Sequence, residues 1–285
     1  MGENMPELPE VETVARGVDE RVRGRSIVSV RLGRKPEPFK TPRAAMLVAL
    51  EGRSIARVHR VGKHIVVDLA ESLAGGDGHA GRIRTQWLVH LGMTGRLLVS
   101  RAEVPIPTHT HAALHLDDGR ELRFVDARRF GRLAIHAMSD VGGFSGTGRE
   151  PLTITAEPFV ALFSGRNAPI KALLLNQTLL QGVGNIYADE SLFRAGILPK
   201  RPASSLSRAE LLGLRRALQS VLRRAIARGG SSVSDYVDAD GVRGFFQLEH
   251  CVYLRAGQPC RVCGAPIQRS IVAGRGTRAC LQCQG

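Results

Sequence analysis

The C-terminal stretch PCRVCGAPIQRSIVAGRGTRACLQCQG, residues 259–285, contains two C-x-x-C pairs that are separated by 16 residues. The pairs consist of Cys260 with Cys263 and of Cys280 with Cys283. Four thiolates at this spacing can close a tetrahedral zinc site, with a β-hairpin in the intervening segment. Two disulfides are disfavoured because the chain has no signal-peptide pattern, and an iron–sulfur cluster is the weaker rival. We therefore expect one structural zinc ion, with Cys251 left over as a packed thiol.

The region before this module has helical periodicity. The segments EPFVALFSG (157–165), PIKALLLNQTLL (169–180) and NIYADESLFRAG (185–196) are predicted to be helical. A longer helix follows, with Ser207 as its N-cap and Glu210 completing a capping box, and it is expected to end near Arg228. After it, SSVSDYVDADGVRG predicts a loop.

The N-terminal half has the pattern of a β domain that begins with a helix. Apolar residues at positions 11, 14, 15, 18 and 22 predict a helix over 10–23. Short alternating stretches such as SIVSVRL and HIVVDLA then follow up to residue 137, interrupted by a short helix at PRAAMLVALE. The DDG at 117–119 indicates a hairpin turn. Many short strands in one block are typical of a sandwich or barrel.

These patterns predict an α+β fold with separate domains. The β domain spans 6–139, a Gly- and Ser-rich linker spans 140–150, a helical domain spans 151–243, and the cysteine module spans 244–285. The loop at 231–243 is assigned to the helical domain.

The charge indicates a polyanionic partner. The 285-residue chain has 40 basic and 26 acidic residues, a net charge of +14 and a pI near 10.7. An arginine-favouring genome would explain the preference for arginine over lysine, but not the excess over the acidic residues. No apolar run reaches the roughly 18 residues of a membrane span. We therefore expect a cytoplasmic protein that binds nucleic acid.

The segment PELPEVET, residues 6–13, suggests chemistry at a proline. A terminal proline amine has a reference pKa near 8, so a useful fraction is neutral and nucleophilic at pH 7. Such an amine can attack an aldehydic sugar carbon, and the neighbouring Glu7 could transfer protons. The alternative is an ordinary helix start, where proline and acidic residues are favourable. Glu10 and Glu12 fit that alternative.

Six blocks of the sequence resemble one family. They are PELPEVET, HLGMTGRL (90–97), DARRFGRL (126–133), QGVGNIYADESLFRAGI (181–197), GGSSVSDYVDADG (229–241) and the cysteine quartet. In this order they are similar to the formamidopyrimidine-DNA glycosylases, the bifunctional base-excision repair enzymes of bacteria. The resemblance implies an N-terminal β-sandwich with flanking helices, and a C-terminal helical domain with a helix–two-turn–helix motif and a zinc-finger β-hairpin.

The resemblance also implies roles for single residues. Pro6 corresponds to the amine that forms a Schiff base with C1′ of the damaged nucleotide, and Glu7 to its acid/base partner. Lys63 corresponds to a proton donor in β-elimination that also contacts phosphate, and Arg275 to the finger arginine of phosphate binding and δ-elimination. The implied DNA contacts are His109, Arg128, Arg166, Lys171 and Asn185, the last two at phosphates beside the lesion. The side chains that fill the space of the flipped base are Met93, Arg128 and Phe130.

The implied activity is excision of oxidised purines, such as 8-oxoguanine and formamidopyrimidines, from duplex DNA, followed by β,δ-elimination. One alternative is the sister branch, which removes oxidised pyrimidines. The other is a non-catalytic damage-binding protein, which would result if residues 1–5 were retained before Pro6. We expect a functional chain that begins at Pro6, acts as a monomer on damaged double-stranded DNA, and associates with the nucleoid when bound. The loop at 231–243 is a candidate lid over the flipped base.

Overall fold

The structure is a computed structural model that describes residues 5–71, 83–138, 142–233 and 236–285. Residues 1–4, on which the predicted start of the chain depends, lie outside these ranges. So do residues 140 and 141 of the predicted linker and residues 234 and 235 of the predicted loop. The chain divides into two compact units. The first comprises the described residues up to Ser145 together with Ser231–Gly244, and the second comprises Gly146–Gly230 and Phe245–Gly285.

Two antiparallel sheets form the frame of the first unit within the described ranges. Helix α1 (Leu8–Val22) precedes β1 (Ile27–Leu32), and α2 (Arg43–Leu50) precedes the remaining strands. These strands are β2 (Arg53–Val61), β3 (His64–Glu71), β4 (Ile83–His90), β5 (Arg96–Arg101), β6 (Thr110–Leu116), β7 (Arg120–Val125) and β8 (Arg132–Ala137). One sheet has the order β1-β6-β7-β5 and the other β2-β3-β4-β8.

The core of the first unit contains side chains from both sheets. Leu114 and Phe124 of one sheet and Val67 and Trp87 of the other belong to a single hydrophobic cluster. Helix α1 contributes one face to this cluster, with the apolar residues at 11, 14, 15, 18 and 22 all buried. Each buried valine of this face contributes roughly 1.5–3 kcal/mol when it leaves water. The predicted β-sandwich with a flanking helix is confirmed.

The second unit is helical up to its C-terminal hairpin. Its helices are α3 (Ala156–Phe163), α4 (Ile170–Leu174), α5 (Asn185–Ala195) and α6 (Arg208–Ala227), with short 3-10 turns at Ala203–Ser205 and Phe246–Glu249. The predicted cap of α6 is confirmed, because the Ser207 hydroxyl accepts the Glu210 backbone N–H while the Glu210 carboxylate accepts the Ser207 N–H. Strands β9 (Gln268–Val272) and β10 (Arg275–Ala279) form the hairpin between the cysteine pairs.

A buried glutamate fixes the segment that leads to the hairpin. Glu190 on α5 has no exposed surface, and its carboxylate accepts the backbone N–H groups of Cys251, Val252 and Tyr253 at 2.8–3.0 Å. Burial raises the pKa of Glu190, although these hydrogen bonds oppose the rise. The C-terminal module therefore has a defined attachment to α5.

The predicted helix over 169–180 is much shorter in the structure. Helix α4 ends at Leu174, because Asn176 folds the chain into a turn. The Asn176 side-chain oxygen accepts both the backbone N–H and the hydroxyl of Thr178 at 2.8–2.9 Å. Such local side-chain hydrogen bonds compete with the helix. The turn chemistry of Asn thus overrides the apolar periodicity of LLLNQTLL.

Residues 231–244 differ from the predicted domain assignment, since they group with the first unit. Tyr236 and Ala239 are buried in the core of that unit, and the Ala239 carbonyl accepts the Val99 N–H at 3.1 Å. At the end of the first unit, Phe144 is also fixed, because its N–H donates to the Gln86 side-chain oxygen at 2.7 Å. A sequence pattern does not report such long-range burial.

Within the described ranges, no helix combines the length and the apolar composition that crossing a membrane requires.

Candidate active site

The proline-led segment lies at the N-terminal end of α1. Pro6 is buried, and Glu7 occupies the N-cap position with 6% of its surface exposed. One carboxylate oxygen of Glu10 accepts the Glu7 N–H at 2.9 Å, and the other accepts the Ser231 N–H at 2.7 Å. Glu10 thereby joins the segment that carries Pro6 to the start of the loop at 231–244.

This position of Glu10 was missed from the sequence, where Glu10 fitted an ordinary helix start. The Tyr236 hydroxyl donates to the Glu10 backbone carbonyl at 3.3 Å. Burial, and next the charge of Glu10, raise the pKa of Tyr236, so its hydroxyl stays protonated and acts as a donor. The only available signal in the sequence was the crowding of three carboxylates in PELPEVET.

Lys63 lies on a two-residue hairpin turn between β2 and β3. Val61 pairs with His64, so that Gly62 and Lys63 form the turn, and Gly62 has a left-handed φ of 60°. Lys63 is half-buried in this turn. A turn position lets the side chain extend beyond the sheet.

His90 is a neighbour of Lys63 that the sequence analysis did not single out. Burial, together with the charges of His64 and Lys63, lowers the pKa of His90 to about 4, so its imidazole is neutral at pH 7. Its Nδ1 accepts the Gly92 N–H at 3.1 Å, which places the ring proton on Nε2. The cross-strand pairing of His64 with His90 brings this ring toward the Lys63 turn.

The loops that carry Met93 and Phe130 lie against each other. Buried Asp126 accepts the Thr94 hydroxyl at 2.5 Å and the Gly131 N–H at 2.7 Å. A Cβ added to Gly92 would lie only 2.5 Å from the Gly131 nitrogen, so glycine is required for this approach. The structure therefore brings the predicted void-filling residues onto adjacent loops.

The side chains of this group are accessible. The Arg128 guanidinium lies 4.8 Å from the centre of the Phe130 ring, and Phe130 is 51% exposed. Met93 is half-buried. An exposed aromatic ring beside a flexible arginine is available to contact a ligand. His109 is exposed as well, in a left-handed conformation with φ 66°, just before β6.

In the second unit, Lys171 is completely buried. Its ammonium lies 2.7 Å from the Asp189 carboxylate and donates to the Gly276 carbonyl and the Thr277 hydroxyl, at 3.1 and 2.7 Å. Burial raises the pKa of Asp189 to about 6, against the opposing charge of Lys171. The expected direct phosphate contact requires an exposed ammonium, whereas this one lies inside the unit and holds the β9–β10 hairpin.

Asn185 supports the same hairpin. Its side-chain amide donates to the Gly276 carbonyl at 3.0 Å, which therefore has both Lys171 and Asn185 as donors. Gly184 occupies the N-cap position of α5, and Asn185 is the first helical residue. Among the described residues, the buried side-chain oxygen of Asn185 has no hydrogen-bond partner.

Arg275 follows the hairpin turn and is exposed. Val272 pairs with Arg275, so Ala273 and Gly274 form the turn, with φ of 49° and 72°. The Arg275 carbonyl accepts the Thr277 hydroxyl at 3.0 Å. Arg166 is exposed too, on the loop between α3 and α4. The catalytic residues predicted by resemblance are thus distributed over both units, with Pro6, Glu7 and Lys63 in the first and Arg275 in the second.

The four cysteines of the two pairs converge. Their Sγ atoms all lie within 4.8 Å of one another, with Cys263 and Cys280 at 3.4 Å and Cys260 and Cys283 at 3.9 Å. Four thiolates around a tetrahedral ion with metal–sulfur bonds of about 2.3 Å would lie about 3.8 Å apart. The cluster can therefore hold a metal ion, and Cys251 packs partly buried beside it.

The class of the protein follows from two family models. The formamidopyrimidine-DNA glycosylase N-terminal domain matches residues 5–133, and the formamidopyrimidine-DNA glycosylase H2TH domain matches residues 147–237. The sandwich and the helical unit are thus those of a DNA glycosylase.

Relatives along the whole chain agree. A formamidopyrimidine-DNA glycosylase of Gluconobacter oxydans is 43% identical, over 98% of this chain and 100% of its own, and one of Desulforamulus reducens is 40% identical over 98% and 99%. The crystal structure of MutM (Fpg) from Thermus thermophilus superposes with a TM-score of 0.81 at 42% identity, covering 98% of this chain and 99% of that one. A complex of Lactococcus lactis Fpg with abasic-site DNA gives a TM-score of 0.85 at 31% identity, with the same coverage. The chain belongs to the formamidopyrimidine-DNA glycosylase family, as the resemblance implied.

Proposed function

We propose that the protein excises oxidised purines, such as 8-oxoguanine and formamidopyrimidines, from duplex DNA and then cleaves the strand. The observation that carries this proposal is the placement of Pro6 and Glu7 in adjacent buried positions at the start of α1, where Glu10 fixes Glu7. Among the supporting comparisons are complexes of Lactococcus lactis Fpg with abasic-site DNA and with DNA that contains N7-benzyl-Fapy-dG.

The chemistry begins at the Pro6 nitrogen. Its lone pair attacks C1′ of the damaged nucleotide, the glycosidic bond breaks with its electrons on the base, and Glu7 supplies the proton that opens the sugar ring. The resulting iminium ion acidifies the C2′–H bond, so that loss of this proton expels the 3′-phosphate by β-elimination. A second elimination expels the 5′-phosphate. Lys63 and Arg275, which carry positive charge on hairpin turns, stabilise the departing phosphates.

This chemistry requires a free amine at Pro6. The nitrogen of a proline within a peptide bond is an amide without nucleophilic character, so Met5 must be absent from the active form. We propose a processed form that begins at Pro6. The match of the family model, which starts at residue 5, is consistent with this start.

Recognition requires the damaged nucleotide to leave the stack. Arg128 and Phe130, together with Met93 on the adjacent loop, occupy the vacated space, and Arg128 donates to the orphaned cytosine. His109 and Arg166 contact the backbone phosphates, so binding weakens as the salt concentration rises. Lys171 and Asn185 act on phosphate through the hairpin that they hold.

We assign zinc to the four cysteines, because four thiolates in a closed site are the typical donor set for structural zinc. When bound, the ion supplies no reaction chemistry and stabilises the finger. Its protein ligands are Cys260, Cys263, Cys280 and Cys283. We also propose that the protein acts as a cytoplasmic monomer.

A cleavage assay tests the function. Duplexes carry either 8-oxoguanine opposite cytosine or an oxidised pyrimidine, and base release and strand scission are measured separately. We expect efficient scission at 8-oxoguanine, and loss of scission in Glu7→Gln but not in Glu20→Gln, whose carboxylate is exposed on the same helix. Preference for the pyrimidine would favour the sister branch. Tight binding without scission would indicate a damage-binding protein.

A further inference from the structure

We propose that Glu12 and Arg60 form a strut that positions Lys63 relative to Pro6 and Glu7. The inference rests on the proposed function, since it assigns a purpose to the distance between the proline end of α1 and the Lys63 turn. Both residues act through other groups, so they are positioning residues. Neither was singled out from the sequence, where Glu12 fitted an ordinary helix start.

The strut begins on the helix that follows the proline. Glu12 lies five positions after Glu7, and one of its carboxylate oxygens accepts Arg60 Nε at 2.8 Å. The other oxygen accepts Arg16 Nε at 2.7 Å. The Glu12 side chain is 16% exposed and that of Arg60 is 4% exposed. The helix and strand β2 are therefore joined by a largely desolvated ion pair.

The other end of the strut is at the turn. Arg60 Nη1 donates to the Gly62 carbonyl at 3.1 Å. The Gly62 carbonyl and the Lys63 backbone nitrogen belong to the same planar peptide group. The hydrogen bond to this carbonyl therefore fixes the orientation of the peptide group from which the Lys63 side chain extends. Gly62 itself is in a left-handed conformation, which permits this turn. One guanidinium thus joins the nucleophile helix to the lysine turn.

A second contact between α1 and β2 shows which end of α1 the Glu12–Arg60 strut positions. Asp19 Oδ1 accepts the Val58 N–H at 2.6 Å, at a position later in α1 than Glu12 and earlier in β2 than Arg60. At a rise of about 1.5 Å per residue, Asp19 lies about 10 Å from Glu12 along the helix axis. The Asp19 contact therefore keeps α1 attached to β2, while the Glu12–Arg60 pair fixes the end that carries Pro6 and Glu7.

The charge state of Glu12 agrees with a positioning role. Burial raises its pKa, but the charge of Arg60 and the hydrogen bonds from Arg16 and Arg60 outweigh this, so the pKa stays below its ordinary value. The carboxylate is ionised and both of its oxygens are engaged. The Glu12 carboxylate is thus unsuited to proton transfer. Its role is to provide a negative charge at a fixed position.

The strut needs arginine at position 60 because this side chain must contact both Glu12 and the Gly62 carbonyl. The guanidinium presents Nε and Nη1 in a rigid fork, and each contacts a different element. A lysine at position 60 would preserve the charge but could not hold both partners in one geometry. Arg60→Lys is therefore the sharpest substitution, and the near-isosteric Glu12→Gln is a second one that reduces only the charge.

The test uses the otherwise intact protein that begins at Pro6, with both units present, and a duplex with a preformed abasic site. Borohydride trapping reports attack by Pro6, the β-elimination rate reports the Lys63 step, and thermal unfolding reports stability. We expect Arg60→Lys to slow β-elimination roughly 10- to 100-fold, as misplacement of a catalytic group does, and to slow trapping less. Glu12→Gln should change the rates in the same order but by a smaller factor. Glu20→Gln serves as the control on the same helix.

A double-mutant cycle separates positioning from general destabilisation. In a Lys63→Ala background, Arg60→Lys should have little further effect on β-elimination, because the group that it positions is gone. Equal slowing in both backgrounds would overturn the inference, as would full activity of both Arg60→Lys and Glu12→Gln. An unmutated protein that neither traps nor cleaves would instead overturn the proposed function, and the strut with it.

Discussion

In each unit a basic side chain lies on or directly after a two-residue hairpin turn, Lys63 in the first unit and Arg275 in the second, and the two turns are supported differently. The Lys63 turn is held by Arg60, whose partner Glu12 is 16% exposed. The Arg275 turn is held through the Gly276 carbonyl by Lys171, whose partner Asp189 has no exposed surface. In both, a cation donates to a glycine carbonyl beside the turn.

The difference in burial predicts different consequences of mutation. Removing one partner of a fully buried ion pair leaves an uncompensated charge, which costs about 3–5 kcal/mol. The Glu12–Arg60 pair keeps a small exposed fraction at Glu12, so removing one partner should cost less stability than in the fully buried pair. Mutations of the residues that support Arg275 should therefore lower activity by destabilising the second unit. Mutations of the residues that support Lys63 should lower activity by displacing the Lys63 side chain.

Metal removal is expected to have the largest effect and to distinguish the turns most sharply. Structural zinc contributes about 10–16 kcal/mol of folding free energy in small fingers. Chelation should disorder the β9–β10 hairpin and abolish strand scission, while the β-sandwich keeps its fold. Hydrogen exchange resolved by segment measures this, with re-addition of zinc as the control. Equal loss of protection in β2 and β3 would contradict the independence of the two turns.

Lys171→Met should be next in size. The substitution strands Asp189 in the interior, and we expect the second unit to lose about 3–5 kcal/mol of stability. Lys200→Met, at an exposed lysine of the same unit, should change stability by less than about 0.5 kcal/mol. Denaturant unfolding provides the measurement. If Lys171→Met were as stable as the control, Lys171 would not support the hairpin.

The two basic side chains themselves can be compared through the products. Arg275→Ala should lower formation of the δ-elimination product by roughly 30- to 100-fold while sparing base release, since one phosphate interaction is lost at the transition state. Lys63→Ala should slow the earlier β-elimination instead. Gel separation of the two strand ends measures both steps. Identical product patterns from the two variants would contradict the separate roles proposed for Lys63 and Arg275.

The smallest expected effect concerns pH and the neighbour of the Lys63 turn. The pKa of His90 is about 4 in the folded chain and about 6.5 when unfolded, so the unfolded state binds the proton more readily between these values. Stability is complete above pH 6.5 and falls as the pH drops toward 4, by about 1 kcal/mol at pH 5.5. His90→Gln should flatten this part of a plot of unfolding midpoint against pH. An unchanged slope would show that His90 does not cause the loss of stability at acidic pH.

The parts of the fold with local signals could be predicted from the sequence. The cap of α6 at Ser207 and Glu210 is a local motif, and the spacing of the cysteine pairs predicted their convergence. The shortened α4 was missed because a single Asn turn outweighed an apolar run. The grouping of residues 231–244 with the first unit was missed because burial of Tyr236 depends on residues more than 200 positions away.

The residues of the candidate site also divide into those that the sequence could predict and those that it could not. Pro6, Glu7, Lys63 and Arg275 were predicted because they match positions of the family that the sequence resembles. The supporting contacts of Glu10, Arg60 and Asp126 were missed, since the residue type alone does not show which backbone groups a side chain will bind. Lys171 was assigned to direct phosphate contact because a sequence shows that a lysine is present but not that it is buried.

The Pro6 amine can act as the nucleophile only when it is free, so trapping by defined N-terminal forms of the protein identifies the attacking group. Two mass-verified forms of the protein, one beginning at Pro6 and one retaining Met5, are incubated with a duplex carrying 8-oxoguanine opposite cytosine in the presence of borohydride. The form that begins at Pro6 should give a covalent adduct that maps to its N-terminal peptide, and the longer form should bind without one. Equal trapping of both forms, or an adduct at Lys63, would contradict the account.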